Sequence, residues 1–300
     1  MSNFRTVVCL TLAACGGRPS LVGDSGAGAS VDCEEGLAIF EKSSGGDLDV
    51  TAELSSGSSG APASWGTDED GTLRFCGGEW VVSMDFGGSD VTILGDPGFA
   101  PAIIKGGGVS NQINLNTSGA TVLIENLHFT EGYNCWGSVV RAVDAGDLYI
   151  DGVLIAEGCD YIYEPVSVDL TLQDVQIYGN DFPEELGGGM IGMTESLLTM
   201  NDSRIYDNAG HGVVALNSDV VCNGDSSSEA GIQGHSKNGV WMMEDDLADK
   251  SSYTTTSNGC DWADNGYDDV LMGEADGPGG HSGFGDDASF VCTSSTMLCE

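Results

Sequence analysis

The chain between residues 122 and 223 repeats a short stretch in which apolar and polar positions alternate. "LTLQDVQIYGN" begins at Leu170 and "LTMNDSRIYDN" begins at Leu198, and the two stretches share six of eleven positions. Apolar residues occupy every second place at the start of each copy, whereas an amphipathic helix would place them three and four apart. Because such alternation gives a strand one buried face, the pattern predicts repeated β-strands.

Three further copies extend the repeat. They are "VLIENLHFTEG" from Val122, "LYIDGVLIAEG" from Leu148 and a degenerate "VVCNGDSSSE" from Val220, so successive copies start 26, 22, 28 and 22 residues apart. A second apolar strand after a glycine turn, as in "GHGVVAL", recurs between the copies. Repeats of this length cannot bury their own apolar face and therefore stack. Two or three strands per turn predict an all-β, right-handed parallel β-helix, because leucine-rich repeats and propeller blades need other consensus sequences and lengths.

The N-terminus has the pattern of an export signal. The apolar run "TVVCLTLAA" is too short to span a bilayer as a helix, and it overlaps "LAAC", which ends at Cys15. We predict a signal peptide over 1–14 and a flexible, Gly- and Ser-rich tether over 15–31. The arrangement resembles the lipobox of bacterial lipoproteins, which implies that Cys15 carries the lipid and that Gly16 favours the outer membrane. The alternative is an ordinary secretory signal cut near the same place.

The remaining chain divides into two predicted segments. Residues 32–246 form the β-helix, with a cap helix over "CEEGLAIFEK" (33–42) and a low-complexity surface loop near 43–70. Residues 247–300 form an acidic, cysteine-containing segment that closes the other end. Caps are expected at both ends because an open parallel solenoid exposes unpaired strand edges.

Composition narrows the range of partners. The chain holds 47 Asp and Glu residues against nine Lys and Arg, which gives a formal net charge of −38, and it contains 46 Gly. Nucleic acid is excluded as a partner, since phosphate binding depends on Lys and Arg. Polyanionic polysaccharides are disfavoured unless a cation bridges the two surfaces. The many glycines agree with short strands joined by turns.

Cysteine usage also indicates export. Of the ten cysteines, Cys9 is removed with the signal and Cys15 carries the lipid, which leaves an even set: Cys33, Cys76, Cys135, Cys159, Cys222, Cys260, Cys292 and Cys299. An even number in an exported chain is typical of disulfides, although such a set allows on the order of 100 connectivities. None of these cysteines has CxxC spacing, so neither a zinc ribbon nor a thioredoxin-like site is supported.

Residues 72–246 resemble the pectin-lyase-like right-handed parallel β-helix superfamily, in the form found in bacterial surface lipoproteins. "CEEGLAIFEK" followed by "TLRFCGGEW" is similar to the cap helix and first coil of such proteins, and "CDWADNGYDDV" with "SFVC" resembles their closing segment. The resemblance implies a lipid-anchored protein of the bacterial outer membrane or cell surface. In such a molecule we expect the disulfides Cys33–Cys76, Cys135–Cys159, Cys222–Cys260 and Cys292–Cys299.

The resemblance also directs attention to the outward columns, where β-helix enzymes bind polysaccharides. The predicted columns are Glu125, Asp151, Gln173, Asn201 and Asn223, then His128, Leu154, Gln176 and Arg204, and a third that ends in Tyr178 and Tyr206. Amides would bind sugar hydroxyls, and aromatic rings would contact sugar C–H groups. The alternative is a solvated strand surface with a stacked tyrosine pair.

Signals for catalysis are weak. "GHG" around His211 matches the Gly-His-Gly of polygalacturonase-type glycosidases, which also need paired carboxylates. The preceding copy offers Asp202, which occupies a turn position, and neither an Asp-Asp pair nor a following Arg-x-Lys is present. Lyases need a basic residue beside calcium-binding carboxylates, and Arg204 is the sole basic candidate on a repeat strand. We therefore expect His211 to be a turn residue and assign no catalytic residue.

The acidic stretch "DWADNGYDD" is a candidate for weak calcium binding. It fails the EF-hand pattern because Ala263 and Met272 occupy ligand positions, and a solvated acidic loop is the alternative. No other cofactor is expected. The calcium ligands would be Asp261, Asp264, Asn265, Asp268 and Asp269.

These patterns predict a lipid-anchored cell-surface protein with a structural or binding role and no catalysis. Its partners would be the membrane, through the lipid, and an extracellular glycan or surface protein. Because a fold does not fix a function, the alternative is a polysaccharide lyase or glycoside hydrolase acting on an extracellular glycan.

Overall fold

The computed structural model describes residues 32–106, 112–116, 121–130, 139–143, 147–156, 163–180, 189–225, 229–243, 252–272, 287–293 and 298–299. Over these ranges the protein is an all-β parallel solenoid with one short helix. The parallel β-helix predicted from the repeats is therefore confirmed. Within the same ranges, no helix has both the length and the apolar character needed to cross a membrane.

The elements fall into an N-terminal, a repeating and a C-terminal group. The N-terminal group is β1 (Ala38–Lys42), β2 (Asp47–Asp49), α1 (Thr51–Leu54), β3 (Ala63–Thr67), β4 (Gly71–Phe75) and β5 (Glu79–Phe86). The repeating group is β6 (Val91–Gly95), β7 (Ala102–Lys105), β8 (Ile113–Asn116), β9 (Val122–Glu125), β10 (Leu127–Thr130), β11 (Val140–Val143), β12 (Asp147–Asp151), β13 (Leu154–Ala156), β14 (Tyr163–Val166), β15 (Asp169–Gln173), β16 (Gln176–Tyr178), β17 (Gly189–Thr194), β18 (Leu197–Asn201), β19 (Arg204–Tyr206), β20 (His211–Leu216), β21 (Asp219–Asn223), β22 (Gly231–Gln233) and β23 (Val240–Met243). The C-terminal group is β24 (Ser252–Asn258), β25 (Val270–Met272), β26 (Asp287–Thr293) and β27 (Leu298–Cys299).

Each turn of the repeating group contributes one strand to each of three faces. The first sheet has the order β2-β1-β4-β6-β9-β12-β15-β18-β21-β24-β26-β27. The second sheet, β7-β10-β13-β16-β19-β22, and the third, β8-β11-β14-β17-β20-β23-β25, are joined through the long strand β5. Strands of successive turns pair in parallel, so chemically equivalent positions of the repeat lie above one another.

The core is built from inward columns of apolar side chains. Leu148 is the register partner of Leu170, and Leu170 is the partner of Leu198, as the alternation predicted. All three are at most 1 % exposed, and Ile155, Ile177, Ile205 and Ile232 form the equivalent column of the second sheet. Burying a side chain of this size contributes about 2 kcal/mol, so the stacked columns supply most of the stability.

The corners between the sheets explain the Asn, Asp or Gly that occupies the fifth position of each copy of the repeat. Asn126, Asp174 and Asp202 lie between first- and second-sheet strands and have φ of 52°, 52° and 47°. Most residues lose about 1–2 kcal/mol in this left-handed region, whereas Gly, Asn and Asp tolerate it. Gly152, with φ of 61°, takes the same corner one turn away. The recurring Asn, Asp or Gly is therefore a requirement of the turn.

The N-terminal end differs from the prediction. The cap helix expected over 33–42 is wrong, because β1 pairs antiparallel with β4 and β2 and covers the edge of the first sheet. Ile39 and Phe40, residue types that favour strands, are both buried there. The loop expected over 43–70 is also wrong in part, since it contains β2, α1 and β3. Leu54 of α1 is fully buried, so this segment packs against the core.

Antiparallel strands and disulfides secure the ends. At the C-terminal end, β26 pairs antiparallel with both β24 and β27, so the first sheet is covered at both edges. Disulfides join Cys33 to Cys76 and Cys222 to Cys260, two of the expected pairs. The expected partners Cys135 and Cys159 lie outside the described residues. The backbones of Cys292 and Cys299 are register partners, and their side chains lie outside the described part of the chain.

Candidate functional site: two outward columns

A column of polar side chains follows the outer surface of the first sheet. Glu125, Asp151, Gln173, Asn201 and Asn223 are register partners in that order, as the repeat predicted. The structure adds Asn258 of β24 as the next partner, which the sequence alignment missed because no repeat begins there. The column therefore starts with two carboxylates and continues with four uncharged amides.

The three asparagines of the column are linked along the solenoid axis by side-chain hydrogen bonds. Asn223 Nδ2 donates to Asn201 Oδ1 at 2.9 Å, and Asn258 Nδ2 donates to Asn223 Oδ1 at 2.8 Å. A carboxamide has two N–H groups and an oxygen with two lone pairs. Asn223 thus uses half of its capacity inside the ladder, and one N–H and one lone pair remain available at the surface.

Threonines line the same surface two residues before the amides. Thr171, Thr199 and Thr256 are outward and partly exposed, and Thr171 is the register partner of Thr199. Val221 interrupts their column between Thr199 and Thr256. Sequence reasoning did not select these threonines, although their position two residues from Gln173, Asn201 and Asn258 was the signal. We call the combined surface the amide–threonine face: Thr171, Gln173, Thr199, Asn201, Asn223, Thr256 and Asn258.

The second and third predicted columns lie side by side on the outer surface of the second sheet and form one polar surface. We call it the tyrosine–arginine column: Gln176, Tyr178, Arg204, Tyr206 and Gln233. The rings of Tyr178 and Tyr206 stack with centroids 5.1 Å apart and planes at 18°. The Arg204 guanidinium carbon lies 4.0 Å from the Tyr206 ring centroid, a cation–π contact. The stacked tyrosine pair expected from the sequence is present.

Arg204 connects this column to the next turn. Its Nη1 forms an ion pair with Glu229, and its Nη2 donates to Gln233 Oε1 at 3.2 Å. The Tyr206 hydroxyl donates to Gln176 Oε1 at 3.5 Å on the preceding turn, and burial raises the pKa of this tyrosine. Tyr206 therefore contacts Tyr178 on the preceding turn. It also contacts the Arg204 guanidinium, which is itself paired with residues of the next turn.

Two other predicted members of the second column have less defined surroundings. His128 and Leu154 are register partners in the column, in agreement with the repeat. His128 is partly exposed and the side chain of Leu154 lies outside the described part. Leu154 is in turn the register partner of Gln176, so the two residues continue the line of the tyrosine–arginine column on earlier turns.

His211 does not lie on either face. The expectation of a turn residue is wrong, because His211 is the first residue of β20 and is fully buried. The Asn238 backbone N–H donates to His211 Nδ1 at 3.2 Å, and the ring lies 4.9 Å from the Trp241 ring. Burial, with smaller effects from Lys237 and His235, lowers the pKa of His211 to about 4. A fully buried, neutral imidazole is not accessible to a polysaccharide on the outer surface.

A second buried histidine was missed by the sequence reading. His235 is 2 % exposed, and its Nε2 lies 3.1 Å from the Ile205 carbonyl oxygen. Burial lowers its pKa to about 4, and the hydrogen bond to Ile205 opposes that shift. Ile205 lies between Arg204 and Tyr206 in the chain, so His235 supports the tyrosine–arginine column from inside.

The acidic C-terminal loop makes contacts within the protein. Asn265 Nδ2 donates to Asp269 Oδ1 at 2.9 Å, and Asp269 is buried. Asp261 instead faces outward and accepts from Gln233 Nε2 at 3.2 Å, while Asp264 is exposed and Asp268 partly exposed. In the ranges that the structure covers, no three His, Cys, Asp or Glu side chains are grouped as a metal site. Calcium binding by this loop stays a prediction.

Comparison of the chain with protein families, curated proteins and solved structures finds no match. The function is therefore argued from the geometry of the two outward columns.

Proposed function

We propose that the chain is a lipid-anchored protein of the bacterial cell surface that binds an extracellular glycan or surface protein without catalysis. The observation that supports this best is the register of the outward columns. Amides recur at four successive turns of the first sheet, and they are aligned and uncharged. A repeating row of hydrogen-bonding groups on a rigid surface fits a partner that presents repeated polar groups, and Cys15 would hold the solenoid at the membrane.

The finer assignment belongs to the same proposal. We place the solenoid among right-handed β-helices of the pectin-lyase-like kind. Three short parallel strands per turn and corners with left-handed residues support this placement. The enzyme alternative is not carried further, because His211, its best residue, is buried in the interior.

The anchor is tested by cell fractionation. We expect Cys15→Ser to move the protein from the membrane fraction to the soluble exported fraction, since a thioether-linked lipid needs the cysteine sulfur. Cys9→Ser, within the predicted signal, is the matched control and should leave the protein in the membrane fraction. Membrane retention of the Cys15→Ser protein would contradict the proposed anchor.

The binding role is tested with the full chain in detergent on a glycan panel, with and without added calcium. We expect retention of at least one glycan class without any change in its length or reducing ends. Cleavage of the bound glycan would instead support the enzyme alternative. Loss of binding when calcium is removed would assign a role to the acidic loop.

A further inference from the structure

We infer that the amide–threonine face of the first sheet is the ligand-binding surface, and that it takes an extended, uncharged glycan lying along the solenoid axis. The tyrosine–arginine column, on this inference, is a brace between turns. The inference rests on the proposed function, because it names the face and the ligand class of the same binding role.

Unused hydrogen-bonding capacity distinguishes this face. Gln173 Nε2 donates one hydrogen bond, to Asp174 Oδ2 at 2.9 Å, and Asn223 keeps one N–H and one lone pair after its ladder contacts. Sugar hydroxyls both donate and accept, so they match groups that offer both functions. The ladder bonds also fix the orientations of the Asn201, Asn223 and Asn258 amides in advance, which lowers the entropy lost on binding.

The spacing of the face suits a polymer. Strands of successive turns lie about 4.8 Å apart, so the same amide recurs at that interval along the axis. A glycan chain parallel to the axis would place its recurring hydroxyls over successive turns. Affinity should then rise with oligosaccharide length until the ligand covers the face from Gln173 to Asn258.

Charge selects the ligand class. The residues of the face are uncharged, while the corner residues beside it, Asp174 and Asp202, are exposed carboxylates. Glu125 and Asp151 precede the amides in the same column. A glycan rich in uronates would be repelled by these carboxylates and by the net charge of −38. A neutral glycan would not be repelled.

The tyrosine–arginine column is already engaged within the protein. Tyr206 contacts the Tyr178 ring and the Arg204 guanidinium, and Arg204 is paired with Glu229 and Gln233. Sugar binding on aromatic rings uses an open ring face. Tyr206 instead contacts the preceding turn, and Arg204 extends this contact to Gln233 on the next turn, so the column links three successive turns as a brace.

The test measures binding of the full chain in detergent by isothermal titration calorimetry. The probes are unsubstituted glucan oligosaccharides of increasing length and polygalacturonate oligosaccharides of the same lengths. Asn201→Val and Asn223→Val remove amides from the face, and Arg204→Gln and Tyr206→Leu disrupt the brace. Asn114→Val, at an outward position of the third sheet, is the matched control. Circular dichroism checks that each variant is folded.

We expect glucan binding that strengthens with length and weakens about tenfold for each amide removed, a usual effect of one lost hydrogen bond. Arg204→Gln, Tyr206→Leu and the control should bind within about twofold of wild type. Loss of binding in the brace variants alone would overturn the choice of face. Preferential binding of polygalacturonate would overturn the ligand class, and absence of glucan binding would overturn the inference as a whole. Failure of the broader proposal is separate: it requires that no glycan class or surface protein binds at all.

Discussion

The first and second sheets share one inward design and differ in how their outward polar groups are used. Inside, both sheets stack one apolar side chain above another at every turn. Outside, the first sheet carries amides whose hydrogen-bonding groups are only partly used within the protein, whereas the second carries a tyrosine pair and an arginine that bind one another. On the proposed function, a regular column of polar residues is not by itself a binding site. Hydrogen-bonding capacity left after internal pairing is the feature that separates the two.

Removing an inward apolar side chain from either sheet should have the largest effect on the free energy of unfolding. Leu170→Ala in the first sheet and Ile177→Ala in the second should each lower the free energy of unfolding by about 3 kcal/mol, since both side chains are fully buried. Urea denaturation followed by circular dichroism measures this. A loss below about 1 kcal/mol in only one variant would show that the two sheets do not contribute equal cores.

Acid should destabilise the protein through the buried histidines, one of which supports the second sheet. The folded-state pKa of His235 is about 4, and an unfolded histidine has a pKa of about 6.5. The unfolded state therefore binds the proton first as the pH falls. The contribution of His235 is fully present above about pH 6.5 and is lost progressively down to about pH 4, by about 3 kcal/mol.

This pH effect is isolated by comparing wild type with His235→Gln. The glutamine amide can still donate to the Ile205 carbonyl but does not titrate, so the variant should lose less stability between pH 7 and pH 4. Unfolding free energies at several pH values give the difference between the two proteins, which removes the shared effect of the many carboxylates. Parallel pH profiles for the two proteins would contradict the assignment of the buried, neutral His235.

Disrupting the tyrosine–arginine column of the second sheet should lower the free energy of unfolding moderately, whereas removing an outward tyrosine of the first sheet should lower it less. Tyr206→Leu should cost about 1 kcal/mol, because it removes an aromatic stack and a cation–π contact. Tyr149 is an outward tyrosine of the first sheet whose register partners are Leu123 and Thr171. Tyr149→Leu is therefore the matched control and should cost less. Equal losses measured by urea denaturation would remove the distinction between a brace and an ordinary surface tyrosine.

The smallest expected effect on stability comes from removing an outward amide of the first sheet. Asn223→Val should change the free energy of unfolding by less than about 0.5 kcal/mol, because the partly exposed ladder bonds compete with water and valine favours strands. The thermal midpoint relative to wild type is a suitable measurement. A large destabilisation would mean that the amide ladder holds the turns together, and its role would then resemble that of the brace.

The sequence was sufficient for the repeating part of the fold. Alternation fixed which residues face inward, and the Asn, Asp or Gly at each corner follows from the left-handed φ of positions such as Asp174 and Asp202. The ends were less predictable because they do not repeat. Ile39 and Phe40 lie in a short segment where helix and strand patterns are not distinguishable, and the partner strand β4 decided the outcome.

The positions of the candidate-site residues were predictable from the sequence, but the contacts of their side chains were not. The columns containing Asn201 and Arg204 follow from the repeat. The pairing of Arg204 with Glu229 does not, because it joins residues 25 apart and Glu229 ends the degenerate copy from Val220. Burial of His211 was equally hidden, because a glycine-flanked histidine has the composition of a turn while its position in β20 is set by the neighbouring strands. Side-chain pairing between turns depends on geometry that a linear pattern does not carry.

The claim that the ladder uses one side-chain N–H of each asparagine and leaves the other for a ligand is tested most directly by nuclear magnetic resonance. The measurement is the temperature dependence of the chemical shifts of the two side-chain amide protons of Asn223 and of Asn258. In each residue we expect one proton with the weak temperature dependence of an internal hydrogen bond and one with the stronger dependence of a water-exposed group. Two exposed protons in each residue would mean that the ladder does not form. Two internally bonded protons would mean that these amides have no N–H left for a ligand, and the account of the first sheet would be contradicted.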